Sequence, residues 1–207
     1  THGDSGHLGG GASVERAFHP RAWIDTAAPD RSTTHKALIG HLSAEKIERR
    51  LVAAPNELSF AKFVTARLLF PPAGFNASNA DDQAVVLQID VAQRWRVLLM
   101  SDAGPATERA LLRDGGDLTS DVLIKGQHHS GVSGSPEFIE RVRPRLIIAT
   151  SPEFPENERV KDAWASSVAE RSVKLFRQDQ TGAVALRFYR DRWEAVPFLT
   201  GEKFSSD

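Results

Sequence analysis

The sequence predicts an α/β or α+β layered domain, because patterns of strands and helices are mixed along its whole length. Two continuous apolar runs, Val97 to Met100 and Leu146 to Ala149, are typical of strands buried on both faces. Between them, Ser135-Pro136-Glu137 is a helix start, with a cap, a proline in the first turn and an acid near the positive helix end. With 207 residues and 41% hydrophobic residues, the chain is expected to form a single domain over 1–207 with a sizeable core.

The first third of the chain predicts short elements. A helix over 12–18 is expected to bury its apolar residues, which are Val14, Ala17 and Phe18. A strand at 23–24 and a polar loop over 27–34 follow. Ser43 has the chemistry of an N-cap, and the helix after it is expected to bury Ile47 and Leu51 and to end before Pro55.

The remaining two thirds predict a regular sequence of strands and helices. Extended structure over 58–70 is favoured by β-branched and aromatic residues, and a polar loop over 76–82 follows. The patterns then predict paired strands at 83–90 and 94–101, a helix at 106–113 and a short buried strand at 122–124. The helix after Ser135 at 136–142, a second buried strand at 146–149 and another helix at 160–171 follow. Three closing strands are predicted at 173–176, 184–189 and 193–198.

The composition excludes several classes of protein. A formal net charge of −1 argues against strong binding of duplex DNA by neutralisation of phosphates. The absence of cysteine excludes disulfides, thiolate metal sites and a cysteine nucleophile. We expect no membrane span within the sequence, because no apolar run approaches the ~18 residues that a span needs.

Three polar clusters follow or precede these buried segments. His2, Asp4 and His7 stand in a glycine-rich stretch, Asp102 follows the run that ends at Met100, and the last cluster contains His128 and His129. Imidazole and carboxylate groups so placed can converge on one divalent cation. Each cluster also has a structural explanation: a frayed terminus for the first, a turn or cap residue for the second, and a hydrogen-bonded surface pair for the third.

The order of these clusters resembles one family, the metallo-β-lactamase-fold hydrolases, and most closely the hydrolase domain of ComEC-type DNA-internalisation (competence) proteins. The family motif T-H-x-D-x-D-H-x-G-G is similar to residues 1–10, T-H-G-D-S-G-H-L-G-G. The family's strand ending in G-D is similar to residues 98–102, L-L-M-S-D, and its D-V-L-K-V-x-H-H-G-S motif is similar to residues 121–131, D-V-L-I-K-G-Q-H-H-S-G. The V-R-P-R and d-x-x-G-x-V elements have counterparts at 142–145 and 179–184.

The resemblance implies an αββα sandwich with a metal site at one edge. It would place divalent ions among His2, Asp4, His7, Asp102 and one of His128 or His129, with Asp4 and Asp102 as the catalytic carboxylates. In this family, metal-activated water attacks a phosphodiester of DNA, so single-stranded DNA or another phosphodiester is the expected partner. Ligands of oxygen and nitrogen without sulfur suit manganese, magnesium or zinc.

Two departures from the family pattern weaken the expected site. Gly6 stands where the family has an aspartate, and residues 151–160 contain no histidine for the family's late glycine-histidine-proline element. A single ion or none is therefore expected rather than a tight pair of ions. The family's first strands would also precede Thr1, so we expect an N-terminally incomplete domain that an upstream segment completes and that is tethered to a membrane in a longer parent.

Three functions remain open on the sequence. The first is a metal-dependent hydrolase, a phosphodiesterase or nuclease of the competence type. The second is a catalytically degenerate module of the same fold with a binding or scaffolding role, which the replacement at Gly6 favours. The third is another hydrolysis on the same scaffold, such as that of a thioester or lactone, because a fold does not decide the substrate.

Overall fold

The computed structural model describes residues 2–27, 32–77, 79–131, 133–150, 156 and 159–206. Its strands, in chain order from β1 to β12, are Ala22–Thr26, Glu48–Val52, Asn56–Ala61, Val64–Phe70, Val86–Val91, Trp95–Ser101, Val122–Lys125, Leu146–Ala149, Lys174–Arg177, Val184–Phe188, Trp193–Pro197 and Phe204–Ser205. Its helices, from α1 to α7, are Ser5–Leu8, Gly11–Phe18, Thr33–Ala44, Pro105–Asp114, Pro136–Val142, Asp162–Ala169 and Gln178–Thr181.

The described residues form a seven-stranded mixed sheet in the order β3-β4-β5-β6-β7-β8-β9. Neighbours from β3 to β6 are antiparallel, and neighbours from β6 to β9 are parallel. The change follows from the connections, because a parallel pair needs a long crossover. The helices α4, α5 and α6 provide these crossovers after β6, β7 and β8. The ends of β6 and β7 therefore lie at one edge of the sheet.

Both faces of this sheet are covered. On one face, Leu98, Met100 and Leu123 pack with Phe138 and Val142 of α5 and with other helical side chains. The alternate residues of the same strands point to the opposite face, where they meet Trp193 and Ala195 of a three-stranded sheet formed by β10, β11 and β12. The helices, the seven-stranded sheet and the three-stranded sheet thus form three of the layers of the predicted αββα sandwich.

A separate two-stranded parallel sheet joins β1 and β2, with α3 between them in the chain. The sequence prediction was wrong here: the helix covers 33–44, and 48–52 is a strand. The N-cap is Ser32, whose hydroxyl accepts a hydrogen bond from His35 N at 3.3 Å. Leu51, which the prediction buried, is exposed on β2 and pairs with Asp25 of β1, and Ile47 directly precedes this strand.

The burial predicted for α2 was also wrong. Val14, Ala17 and Phe18 are all exposed, and the described buried residues of this helix are Gly11 and Glu15. The inner side of α2 is a close approach to α3, because a Cβ atom at Gly11 would lie 2.8 Å from Leu38. Within the part of the chain that the structure describes, no helix is long and apolar enough to cross a membrane.

Candidate metal centre

The opening segment places two imidazoles against each other. His2 is buried and His7 lies on α1, and their ring centroids are 4.1 Å apart. Asp4 precedes α1 as its N-cap residue in an extended conformation, but its side chain makes no cap hydrogen bond. The Asp4 side chain is also 51% exposed, so its carboxylate is accessible to solvent.

Asp102 meets these imidazoles from the end of β6. Its Oδ2 lies 2.6 Å from His7 Nε2 and 3.8 Å from His2 Nε2. The preceding Ser101 has a φ of 50°, in the left-handed region that favours glycine. The sharp bend there turns Asp102 away from the strand, and this explains physically why a glycine stands before the aspartate in the family motif.

Asp102 also approaches the neighbouring strand closely. Gly126 follows β7, and a Cβ atom at this position would overlap Oδ1 of Asp102. Gly126 N donates to the carbonyl of Ser101 at 2.6 Å, so the two strand ends are joined directly. A side chain at residue 126 would therefore displace the carboxylate or separate the strands.

The adjacent histidines 128 and 129 lie in the loop after β7, at the same edge. His128 is buried, with Nδ1 2.7 Å from Ser130 Oγ and Nε2 3.4 Å from Asp82 Oδ1. His129 is exposed, with Nδ1 2.9 Å from Asp81 Oδ2. Gly104, which directly precedes α4, lies close to this loop, since a Cβ atom at Gly104 would overlap the His128 ring.

Asp81 and its neighbours are the part of the site that the sequence analysis missed. Asp81 is buried, its Oδ1 lies 3.6 Å from His2 Nε2, and its Oδ2 accepts a hydrogen bond from His129 N at 2.8 Å. Asn79 holds this turn, because its side-chain oxygen accepts from Asp81 N at 2.9 Å and its amide donates to Asp82 at 3.2 Å. The signal was present in the sequence as two adjacent acids directly before a predicted strand.

The structure brings all six predicted site residues together and adds Asp81 to them. Three groups of side chains have ligand atoms within 4.8 Å of one another: His2, His7 and Asp102; Asp81, His128 and His129; and His2, Asp4 and Asp81. The groups share His2 and Asp81, so they form one continuous cluster. Nitrogen and oxygen donors at these separations fit a divalent metal.

The surroundings shift the pKa values of the two imidazoles of the opening segment in opposite directions. Burial, together with the nearby His7, lowers the pKa of His2, which favours the neutral imidazole that a metal needs. A hydrogen bond to Asp102 raises the pKa of His7. Burial alone would raise the pKa of Asp81, but the hydrogen bonds from His129 outweigh it and lower the pKa, so this carboxylate stays ionised.

Solved structures share this architecture. The chain is similar to Igni18, a novel metallo hydrolase from the hyperthermophilic archaeon Ignicoccus hospitalis KIN4/I, with a TM-score of 0.57 and 13% identity over 100% of this chain and 77% of that one. The chain has a metallo-hydrolase fold. The expected sandwich of the metallo-β-lactamase type is thereby confirmed, and at this identity the likeness concerns the fold.

Sequence similarity points to the competence proteins. The chain is 30% identical to competence protein ComA of Neisseria gonorrhoeae in an alignment of 135 residues that covers 58% of this chain and 19% of that relative. The ComEC-like relationship that the motifs predict is therefore confirmed. No family model matches the chain. The chain thus combines a metallo-hydrolase fold with sequence similarity to a competence protein. The matched part is only 19% of the length of that competence protein.

Proposed function

We propose that this chain is a metal-dependent hydrolase of phosphodiester bonds, with single-stranded DNA as the substrate to test first. One observation carries the proposal: donors from four separate segments meet at one sheet edge within a metallo-hydrolase fold. They come from the opening segment, the turn before β5, the end of β6 and the loop after β7. The similarity to a competence protein supports DNA as the substrate class.

The donor set supports manganese, zinc or magnesium rather than an ion that requires thiolate ligands, because it contains imidazole nitrogens and carboxylate oxygens without sulfur. The residues that would hold the metal are His2, Asp4, His7, Asp81, Asp102, His128 and His129. Asp81 supplies a buried carboxylate next to His2, in a site where Gly6 offers none. We assign to Asp81 the role of an additional ligand.

The protein's own groups prepare the reaction. A bound divalent cation would lower the pKa of water and offset the charge that develops on the phosphate. Asp102 holds His7 at 2.6 Å and orients its ring. Asp4, whose carboxylate is half exposed and makes no cap hydrogen bond, would be open to solvent as well as to the ion, so that an oxygen not bound to the metal would be available to accept a proton.

A nuclease assay tests the proposal. Purified chain is incubated with single-stranded DNA, duplex DNA and bis(p-nitrophenyl) phosphate, with Mn²⁺, Zn²⁺ or Mg²⁺ or with EDTA. We expect metal-dependent cleavage that falls at least about a hundredfold in Asp102→Asn, because this residue holds both imidazoles of the opening segment. Asp191→Asn is the matched control, since Asp191 is exposed in the turn between β10 and β11.

The other outcomes have defined meanings. Metal binding without hydrolysis of any phosphodiester, but with cleavage of a thioester or lactone, would replace the substrate class and keep the metal chemistry. The absence of both binding and hydrolysis at millimolar metal would leave a degenerate module with a binding or scaffolding role.

A further inference from the structure

A second imidazole–carboxylate assembly lies directly behind the segment that carries His2 and Asp4. His35, in the first turn of α3, is buried, and its Nε2 lies 2.9 Å from Asp25 Oδ2 on β1. Because a carboxylate only accepts hydrogen bonds, Nε2 is the nitrogen that donates. The ring is therefore held in one orientation, and Nδ1 faces away from Asp25.

The edge of the His35 ring that carries Nδ1 lies against Gly3. A Cβ atom at Gly3 would lie 3.3 Å from His35 Nδ1, which is tighter than most contacts of a Cβ atom, and at an ordinary van der Waals distance of 3.9 Å from its Cβ and Cγ. Gly3 stands between His2 and Asp4, so the imidazole supports the backbone between two candidate ligands. The glycine in the motif allows this contact, because it has no side chain to separate the loop from the ring.

Asp25 is itself fixed from two sides. Arg49 on β2 donates to Asp25 Oδ2 from Nε at 2.9 Å and from Nη2 at 2.6 Å. Thr26 N donates to the other oxygen, Oδ1, at 2.8 Å. Burial alone would raise the pKa of Asp25, but these hydrogen bonds and that from His35 lower it, so the carboxylate remains charged and strongly bound.

We propose that Arg49, Asp25 and His35 form a positioning network that sets the geometry of His2 and Asp4 through the backbone of Gly3. This inference deepens the proposed function, on which it rests. It assigns a purpose to the small sheet β1–β2 and to α3, which together bring Arg49, Asp25 and His35 to the back of the candidate metal centre. None of the three residues touches the metal or the substrate in this assignment.

The chain offers a matched control on the same helix. His41 lies further along α3, and its Nε2 is 2.9 Å from Glu15 Oε2, which is buried on α2. This pair has the same chemistry as His35–Asp25 and also joins two elements. It connects α3 to α2 and has no contact with Gly3 among those described for that glycine. The His41 imidazole is half-buried and the Glu15 carboxylate is buried, so loss of His41 reports the general cost of removing an imidazole–carboxylate pair from α3.

Hydrogen exchange and metal titration of the full chain test the network. The amides of His7, Leu8 and Gly9 donate to the carbonyls of Asp4 and Ser5 and report the order of the opening segment. In His35→Ala we expect these amides to exchange about tenfold faster and the Mn²⁺ affinity to fall about tenfold. In His41→Ala both should stay at wild-type values, although global stability falls. His35→Gln, which keeps a donor towards Asp25, should recover part of both losses.

Each outcome decides a separate question. If His35→Ala and His41→Ala give the same exchange and the same affinity, the network has no positioning role and the inference is overturned. Faster exchange in His35→Ala with unchanged Mn²⁺ affinity would also overturn it, because the ligands would then keep their geometry without the network. If the wild-type chain binds no metal, the proposed function fails, and the comparison of exchange rates alone decides whether His35 holds the opening segment.

Discussion

Asp81 Oδ2 accepts a hydrogen bond from His129 N at 2.8 Å and lies 2.9 Å from His129 Nδ1, although 48 residues separate the two in the chain. The second oxygen of the same carboxylate lies 3.6 Å from His2 Nε2. Asp81 thus joins the turn before β5, the loop after β7 and the opening segment. In the proposed metal centre this carboxylate would be a ligand or the residue that orients one, and both roles require its charge.

Asp81→Asn is expected to weaken metal binding by about 10- to 100-fold, because it removes a charged ligand or the partner that orients His129. The amide has nearly the same size, so the fold should be kept. Isothermal titration with Mn²⁺ and Zn²⁺ measures the affinity, and circular dichroism checks the fold.

The control for this change is Asp191→Asn, which removes one exposed carboxylate from a turn away from the cluster. Its metal affinity should equal that of the wild type. An Asp81→Asn variant with undiminished affinity would show that the carboxylate is dispensable, and the ligand role assigned to Asp81 would be wrong.

Gly6→Asp is expected to raise the affinity for metal. A Cβ atom at Gly6 meets nothing within 4 Å, so an aspartate fits without displacing a neighbour. The new carboxylate would stand next to His7 in α1 and add a charged donor beside the cluster. An increase of about tenfold or more is expected, since a charged ligand typically changes affinity by at least this factor.

Gly10→Asp is the control for the added charge. A Cβ atom at Gly10 also meets nothing within 4 Å, and the residue lies in the same segment, at the N-cap of α2. If both variants bind metal equally more tightly, the gain comes from net charge and not from a ligand at residue 6.

Much of the site was predictable because strand direction decides where side chains meet. Runs such as Val97 to Met100 identify β6 unambiguously, and parallel pairing of β6 with β7 brings Asp102 to the edge that carries His128. The same logic applies to Asp81. Because β5 is antiparallel to β6, the start of β5 lies at the edge where β6 ends. The two strands were predictable as a pair from their sequence patterns, and the position of the acids before β5 follows from that pairing.

The segment around α3 could not be predicted in the same way. Ile47 and Leu51 are four residues apart, which fits a helix, and only the pairing of β2 with β1 shows that Leu51 lies on a strand, which Ile47 directly precedes. Ser32, the actual cap, stands beside other polar residues that are typical of a loop. The positioning network was hidden for the same reason, since it depends on contacts between elements whose types the local sequence does not decide.

Gly126→Ala is expected to damage the site although it adds one methyl group. The Cβ atom would overlap Asp102 Oδ1, so the carboxylate must move away from His7. We expect loss of metal binding and a decrease of about 1–3 kcal/mol in the free energy of unfolding. Metal titration and urea denaturation measure the two effects.

Gly40→Ala provides the comparison for a change of glycine to alanine. Gly40 lies within α3, a Cβ atom there meets nothing within 4 Å, and alanine favours the helix by about 1 kcal/mol. This variant should be more stable and bind metal normally. A Gly126→Ala variant that behaves in the same way would contradict the close contact of residue 126 with Asp102.

Lys125 predicts an unusual dependence of stability on pH. Burial lowers the pKa of Lys125 from 10.5 to about 8, against the attraction of Glu108 and Asp102. Its Nζ donates to Gln127 at 2.6 Å and lies 4.6 Å from the centre of the Trp164 ring. Below pH 8 both the folded and the unfolded chain hold the proton, so the full cost of burying the charge is present.

The sign of the effect follows from the protons bound in each state. Between about pH 8 and 10.5 the unfolded chain keeps the proton while the folded chain releases it, so the free energy of unfolding should rise with pH, by up to roughly 3 kcal/mol from this group. Lys125→Met should lack this rise, whereas Lys62→Met should retain it, because Lys62 is exposed although its Nζ also lies near a ring, 5.2 Å from that of Phe63. Urea denaturation at pH 7, 8, 9 and 10 measures all three proteins. If the free energy of unfolding depends on pH in the same way for the wild type and Lys125→Met, Lys125 keeps its ordinary pKa in the folded chain. Its ammonium group would then be hydrated, and the expected effect of burial would be wrong.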